Sequence, residues 1–297
     1  HTHTHTHTHP SNMKPYVSLL ITFILFSLAS MPTVVQGELW KVFDEISSTS
    51  TVVDLTHSFD SNIPHFPLFP AETVTTLFTH EEDGFFAQEF CHVGQWGTHC
   101  DPPVHFHAGL RTTSSIPVSE MFLKLVVIDV SEQVQQNPDY TIRMEDIEAW
   151  ESRHGRVPSG SFVIMRTDWF KRWPDAAAMA NKDSEGVAHY PGWSQEVLTY
   201  LYEERQITAS GHETTDTDPG VATSQDDFSL ESYILGLNRF QIELITNTDQ
   251  VPEAGALLSV SWPKAADGSG FPARLFAIVP SSAPSSAVTL VVDPLNI

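Results

Sequence analysis

The sequence predicts an α/β fold, on three observations. Residues 123–130 and 162–165 are short apolar runs rich in β-branched side chains, as strands buried on both faces are. Residues 141–154, between them, carry Ile142, Ile147 and Trp150 on one helical side, with Gly155 as the stop. Residues 207–210 read as a returning strand that ends in Gly211-His212-Glu213-Thr214-Thr215-Asp216-Thr217-Asp218. Polar groups gathered at a strand end commonly mark a site in α/β architecture.

In chain order, residues 1–9 alternate His and Thr and read as an affinity tag, so residues 1–12 are set aside. Residues 13–37 read as a signal peptide: Met13 starts it, Lys14 is its positive end, 17–29 its apolar run, and Val35-Gln36-Gly37 offers small residues for cleavage. An uncleaved N-terminal anchor is the alternative; under either the domain is exported, to the periplasm or outside the cell. One domain is expected over residues 38–280. Residues 38–50 place Leu39, Val42, Phe43 and Ile46 at amphipathic helical spacing. Residues 51–56 read as a strand, and the prolines of 63–70 forbid regular structure and stiffen a loop. Phe85, Phe86 and Phe90 alternate loosely with polar residues, as a strand would. Ser194 caps a helix whose inner face is Val197, Leu198 and Leu201. Residues 229–237 read as helix, and 240–246, 257–262 and 273–279 as strands. Residues 281–297 form a low-complexity tail. The chain has no internal repeat and no evident linker.

With 297 residues, 41% of them hydrophobic, the chain is long enough for a sizeable core. A net charge of -22 repels nucleic acid, and no basic tract offsets it. The expected partner is a small-molecule substrate, with no membrane role for the mature domain. Cys91 and Cys100 are close enough in sequence to form a disulfide, but Cys100 reads as an apolar filler. A Gly-x-Ser-x-Gly elbow is absent and neither cysteine sits in a catalytic motif, so serine and cysteine nucleophiles are disfavoured.

The densest chemistry lies in Gln95-Trp96-Gly97-Thr98-His99-Cys100-Asp101-Pro102-Pro103-Val104-His105. In an extended segment His99 and Asp101 point to the same side, so an imidazole nitrogen and a carboxylate oxygen converge as a divalent metal requires. Pro102-Pro103 forces a turn, which can return His105 over that point as a proton carrier without making it a ligand. Glu243 is a carboxylate within an apolar strand, costly unless paired or coordinated.

This motif resembles the signature of the metal-dependent cyclase family, which includes bacterial kynurenine formamidase and isatin hydrolase. Gly97, Thr98, His99, Asp101, Pro103 and His105 fit the pattern His-x-Gly-Thr-His-x-Asp-x-Pro-x-His, and Gln95 replaces its first histidine. The resemblance runs over residues 52–280 and implies a single-domain swivelling β/β/α cyclase-like hydrolase fold and a homodimer. It implies the ligands His99 and Asp101, with Glu243 at the family's late glutamate, and a divalent metal, Mn2+ or Zn2+. Gln95 is either a weaker ligand, which favours manganese, or a hydrogen-bond partner of a metal-bound water. Position 231 is Glu where the formamidases carry a further histidine, so a second metal site of the same construction is not expected. Phe66 matches a substrate-touching aromatic, and Trp96 with Phe85 or Phe86 would extend that wall. His212 and Glu213 stand as a substituted ligand, a substrate contact or a salt-bridged loop. The implied activity is hydrolysis of an amide, lactam or lactone in a small aromatic substrate, with His105 as general acid and base. An exported binding protein of the same fold and a metal-dependent isomerase or dehydratase are the alternatives.

Overall fold

The runs at residues 123–130 and 162–165 carry apolar side chains on both faces, so the strands they form must be covered on both sides. The computed structural model describes residues 37–281. The tag, the signal peptide up to residue 36 and the tail from residue 282 lie outside the described residues. The chain divides between Ser48 and Thr49. Before that point the helix Glu38–Thr49 forms as its spacing predicts, but none of its residues is buried.

The larger unit contains strands β1 (Ser50–Asp54), β2 (Thr73–Phe78), β3 (Ala87–Cys91), β4 (His99–Asp101), β5 (Phe122–Asp129) and β6 (Phe162–Arg166). They are followed by β7 (Ala209–His212), β8 (Gln241–Glu243), β9 (Ala256–Ser261), β10 (Phe271–Pro272) and β11 (Arg274–Pro280). Nine strands make one sheet in the order β1-β11-β9-β5-β6-β7-β8-β4-β10. The central pairs β5/β6, β6/β7 and β7/β8 are parallel, and their neighbours on both sides run antiparallel.

One face of the central strands, with Val126, Ile128, Val163 and Met165, packs on helix residues such as Ile147, Trp150, Val197 and Leu198. The other face, with Leu125, Val127, Phe162 and Ile164, packs on residues from both flanks of the sheet, including Cys100 of β4 and Leu275 of β11. A sheet whose two flanks share one core has curled over itself, so no helix is needed on that side. Fully burying each such side chain contributes about 1.5–3 kcal/mol. Cys100 fills this inner core, Cys91 is exposed, and both are free thiols.

The expected strand 240–246 is cut to three residues, because Leu244 has a φ of 56° and leaves the ladder. The helix expected from residue 141 begins at Met144, where the Asp146 carboxylate accepts the Arg143 N–H at 2.8 Å. β2 was not legible in the sequence: all six of its residues are exposed, so no alternation marks it. It pairs with β3 in a separate two-stranded ribbon, beside which Phe85 and Phe86 are exposed.

Candidate metal centre

The site begins with strand register. β4 runs antiparallel to β8 with His99 opposite Glu243 and Asp101 opposite Gln241. The intervening Cys100 and Ile242 point into the inner core, so His99, Asp101 and Glu243 share the other face. The result is close convergence: one ligand atom from each of the three lies within 4.8 Å of the others. His99 Nε2 is 3.4 Å from Asp101 Oδ2 and 3.5 Å from Glu243 Oε2.

The residues before the strand explain why the motif has its composition. Gly97 has a φ of 62°, and a Cβ there would come within 3.1 Å of the Phe59 side chain. Thr98 Oγ1 accepts the His57 N–H at 3.0 Å and donates to the Leu244 carbonyl at 2.5 Å. That clamp holds Leu244 in the left-handed conformation that ends β8 beside Glu243. His99 Nδ1–H donates to the Gly97 carbonyl at 2.8 Å, which leaves Nε2 as the bare nitrogen facing the two carboxylates.

Pro102-Pro103 redirects the chain into a single turn, Pro103–His105, closed by the His105 N–H to the Pro102 carbonyl at 2.9 Å. His105 returns toward the centre, with Nε2 3.9 Å from Asp101 Oδ1 and 4.0 Å from Glu231 Oε1. Its side chain is 26% exposed, against 5% for His99. Asp101, His105 and Glu231 form a second convergent group that shares Asp101 with the first. Glu231 lies in the helix Ser229–Gly236, whose start is held by Asp218 accepting the Leu230 and Glu231 N–H groups at 2.9 and 3.0 Å. Glutamate at this position therefore supplies a carboxylate to the site where the family pattern has a histidine.

Electrostatics of the centre ask for a cation. Burial pushes the Glu243 and Glu231 carboxyls well above the usual range, and the Asp101 charge pushes them further. Asp216, which also borders the site, is raised to about 6, first by burial and then by neighbouring acids. Burial works to raise Asp101 too, but His99 beside it holds its carboxyl low. The reciprocal pull keeps His99 above its ordinary value, although burial alone would lower it. Asp101 Oδ2 is buried without a hydrogen-bond partner. An orphaned carboxylate oxygen, a bare imidazole nitrogen and a crowd of acids are the donor set of a divalent cation, and the residues fit one.

The structure corrects three expectations about individual residues. Gln95 directs its amide nitrogen at the Ser269 carbonyl, 2.7 Å away, and at Asp101 Oδ1, 3.3 Å away. Turning the amide round would set two oxygens against each other, so Gln95 acts as a donor that orients Asp101, not as an oxygen ligand. Trp96 is wholly buried and is not among the residues lining the cavity in front of the triad; Phe85 and Phe86 lie on the exposed ribbon. His212 is wholly buried behind Glu243. Its Nδ1 accepts the Trp193 indole N–H at 3.4 Å, which leaves the proton on Nε2, 3.3 Å from Glu243 Oε1. Burial lowers its pKa to about 3, so it stays neutral, and its Nε2 lies beside Glu243 without a hydrogen-bond partner.

Phe66 does border the site. The cavity in front of His99, Asp101, Glu243, His105 and Glu231 has a volume of about 450 Å³ and is walled by Phe66, Phe69, Phe106 and Phe228. Asp216 belongs to the polar strand-end run that the sequence marks as a site, whereas sequence reasoning gave no wall or site role to Glu231, His65 or Phe228. For Glu231 a signal existed: it shares the buried side of its helix with Ile234 and Leu235, where an acid is costly. Glu213, expected as a ligand or contact, is buried away from the cavity. It accepts hydrogen bonds from Thr167 N and Oγ1, Trp169 N, Phe170 N and Thr248 Oγ1.

Comparison with known proteins agrees with this geometry. The Cyclase family model matches residues 53–219. Isatin hydrolase of Roseibium aggregatum is 32% identical over 251 residues, 80% of this chain and 95% of that protein. Isatin hydrolase A from Labrenzia aggregata, solved bound to benzyl benzoate, superposes with a TM-score of 0.75 at 30% identity, over 83% of this chain and 100% of that one. Isatin hydrolase A from Ralstonia solanacearum gives 0.73 at 28% identity, over 91% of this chain and 100% of that one. A protein from Bacillus stearothermophilus described as a predicted metal-dependent hydrolase shares the fold, with a TM-score of 0.57 at 19% identity over 77% of this chain and 98% of that one. In sequence, in its curled α/β fold and in the convergence of His99, Asp101 and Glu243, this chain belongs to the Cyclase family.

Proposed function

We propose that this protein is a metal-dependent hydrolase that opens an amide, lactam or lactone bond in a small aromatic substrate. The observation that carries the reading is the buried triad His99, Asp101 and Glu243 at the floor of an aromatic-walled cavity. His99, Asp101 and Glu243 would hold a divalent metal, which would supply acidification of water and polarisation of a carbonyl oxygen. Mn2+ and Zn2+ are both compatible with one imidazole and two carboxylates.

The chain's own residues supply the rest. His99 and Asp101 are aimed by the Gly97 carbonyl and the Gln95 amide, and Glu243 by Gln241, whose Nε2 donates to Glu243 Oε1 at 3.0 Å. His105, more exposed and at the mouth of the triad, is placed to take a proton from the attacking water and return it to the leaving nitrogen or oxygen. Phe66, Phe69 and Phe106 offer flat apolar faces to an aromatic ring. The similarity to isatin hydrolases, one solved with thioisatinate and one with benzyl benzoate, supports an aromatic carbonyl compound as substrate.

The test is a hydrolysis screen of manganese- and zinc-reloaded protein on isatin, N-formyl aromatic amines and aryl lactones. Turnover that is lost on chelation and restored by metal is the expected result. Metal binding without turnover of any of these would favour the binding-protein alternative, and full activity after complete chelation would overturn the reading.

A further inference from the structure

The aromatic wall of the metal-side cavity has a second cavity behind it, of about 500 Å³. Phe66 and Phe228 belong to the walls of both, as do His65, Thr215 and Asp216. The two phenyl rings meet edge to face with centroids 6.4 Å apart, looser than the 5.2 Å between Phe66 and Phe69. Phe66 is itself 40% exposed, so little packing holds its ring against Phe228. These two rings are the aromatic part of the wall that the two cavities share.

The surface beyond that wall is chemically plain. Met179, Ala180 and Ala188 offer only apolar groups. The Tyr190 hydroxyl is spent on Asp216 Oδ2 at 2.7 Å and Thr223 Oγ1 at 2.5 Å, leaving its ring to the cavity. Ser224 Oγ is likewise committed, accepting the Ala188 N–H at 2.8 Å and donating to the Gly220 carbonyl at 2.7 Å. Asp216, shared with the metal side, accepts from the Tyr190 and Thr215 hydroxyls through Oδ2, and the other charged residues on this wall, Lys182 and Asp226, are exposed. A polar ligand group would find few free partners inside and would lose its water; an apolar group loses nothing.

We propose that the second cavity is a tail subsite: the substrate carries, besides the ring and carbonyl held in front of the metal centre, an alkyl or aryl arm. That arm passes between Phe66 and Phe228 and lies on Met179, Ala180 and Ala188. The identity of the head group rests on the hydrolase reading; the existence of the arm rests on the shared wall.

The experiment compares benzoate with 4-butylbenzoate as ligands of the manganese-reloaded full chain, by isothermal titration calorimetry. Both acids should bind only in the presence of manganese, and the butyl compound at least tenfold more tightly. Ala180→Phe and Ala176→Phe each place a ring in the tail cavity from the helix Ala176–Ala180. Either should reduce 4-butylbenzoate to the affinity of benzoate while leaving benzoate unchanged. Two variants keep the test alive if one fails to fold by circular dichroism. Manganese-dependent benzoate binding with no butyl gain, or a gain that survives in the folded variants, overturns the tail subsite alone. Absence of manganese-dependent binding of both acids overturns the head-group reading and the subsite with it.

Discussion

Replacing Glu243 by Gln separates the cost of the acidic cluster from its use. The carboxylates of Glu243 and Asp101 offer oxygens within 4.8 Å of each other. Two unit charges at that separation repel by about 3 kcal/mol at an effective dielectric of about 20. The new amide can keep the Gln241 side satisfied with its oxygen and donate from its nitrogen toward Asp101 and His99. Metal-free Glu243→Gln should therefore be more stable than metal-free wild type, with about 3 kcal/mol as the ceiling. At roughly 2–4 °C per kcal/mol for a chain of this size, the ceiling is roughly 6–12 °C in Tm.

The gain depends on pH with a defined sign. An unfolded glutamate loses its proton near pH of about 4.3, whereas burial and the Asp101 charge hold the folded Glu243 protonated to higher pH. Between those points the folded state binds more protons, so wild-type stability is full below the unfolded pKa and falls as pH rises toward the folded one. Glu243→Gln removes that loss. With manganese the order reverses, because losing a charged ligand weakens the metal, and ligand-linked stabilisation of about 2.7 kcal/mol at a hundredfold excess over Kd shrinks with it. Thermal melts of chelated and manganese-loaded protein from pH 5 to 8 provide the assay. A chelated variant that melts no higher than wild type at neutral pH, together with an undiminished manganese shift, would refute the reasoning.

His105→Ala should retain the metal and lose about 10²- to 10⁴-fold in turnover, whereas His99→Ala should lose the metal itself; metal content by mass spectrometry beside kcat distinguishes them. Gln95→Ala removes a donor to Asp101 and should weaken manganese binding by about 10- to 100-fold without abolishing it, as read by calorimetry. Glu213→Ala leaves the Thr167 and Phe170 N–H groups without their acceptor, at about 1–3 kcal/mol for each group left unpaired, while the Trp169 N–H keeps Thr167 Oγ1. Urea unfolding should show a loss well above 1 kcal/mol, and a midpoint unchanged from wild type would remove Glu213 from the framework.

The sequence by itself determined the local elements and half of the centre. Apolar runs buried on both faces named β5 and β6, and the two-residue period placed His99 and Asp101 on one side with Cys100 on the other. Both are short-range properties: strand periodicity acts between neighbours, so the amino-acid order contains it. Glu243 could be suspected as a costly acid in an apolar strand, but only the pairing of β4 with β8 sets it across from His99. Glu231 reaches the site because the helix Ser229–Gly236 packs beside the turn that carries His105, a placement separated from the motif by more than a hundred residues. The direction of the Gln95 amide, the burial of Trp96 and His212, and the second cavity behind Phe66 were likewise decided by tertiary structure. Each depends on which surfaces meet when the sheet curls, and a side chain's exposure or hydrogen-bond partner is a property of that meeting, not of its neighbours in the chain.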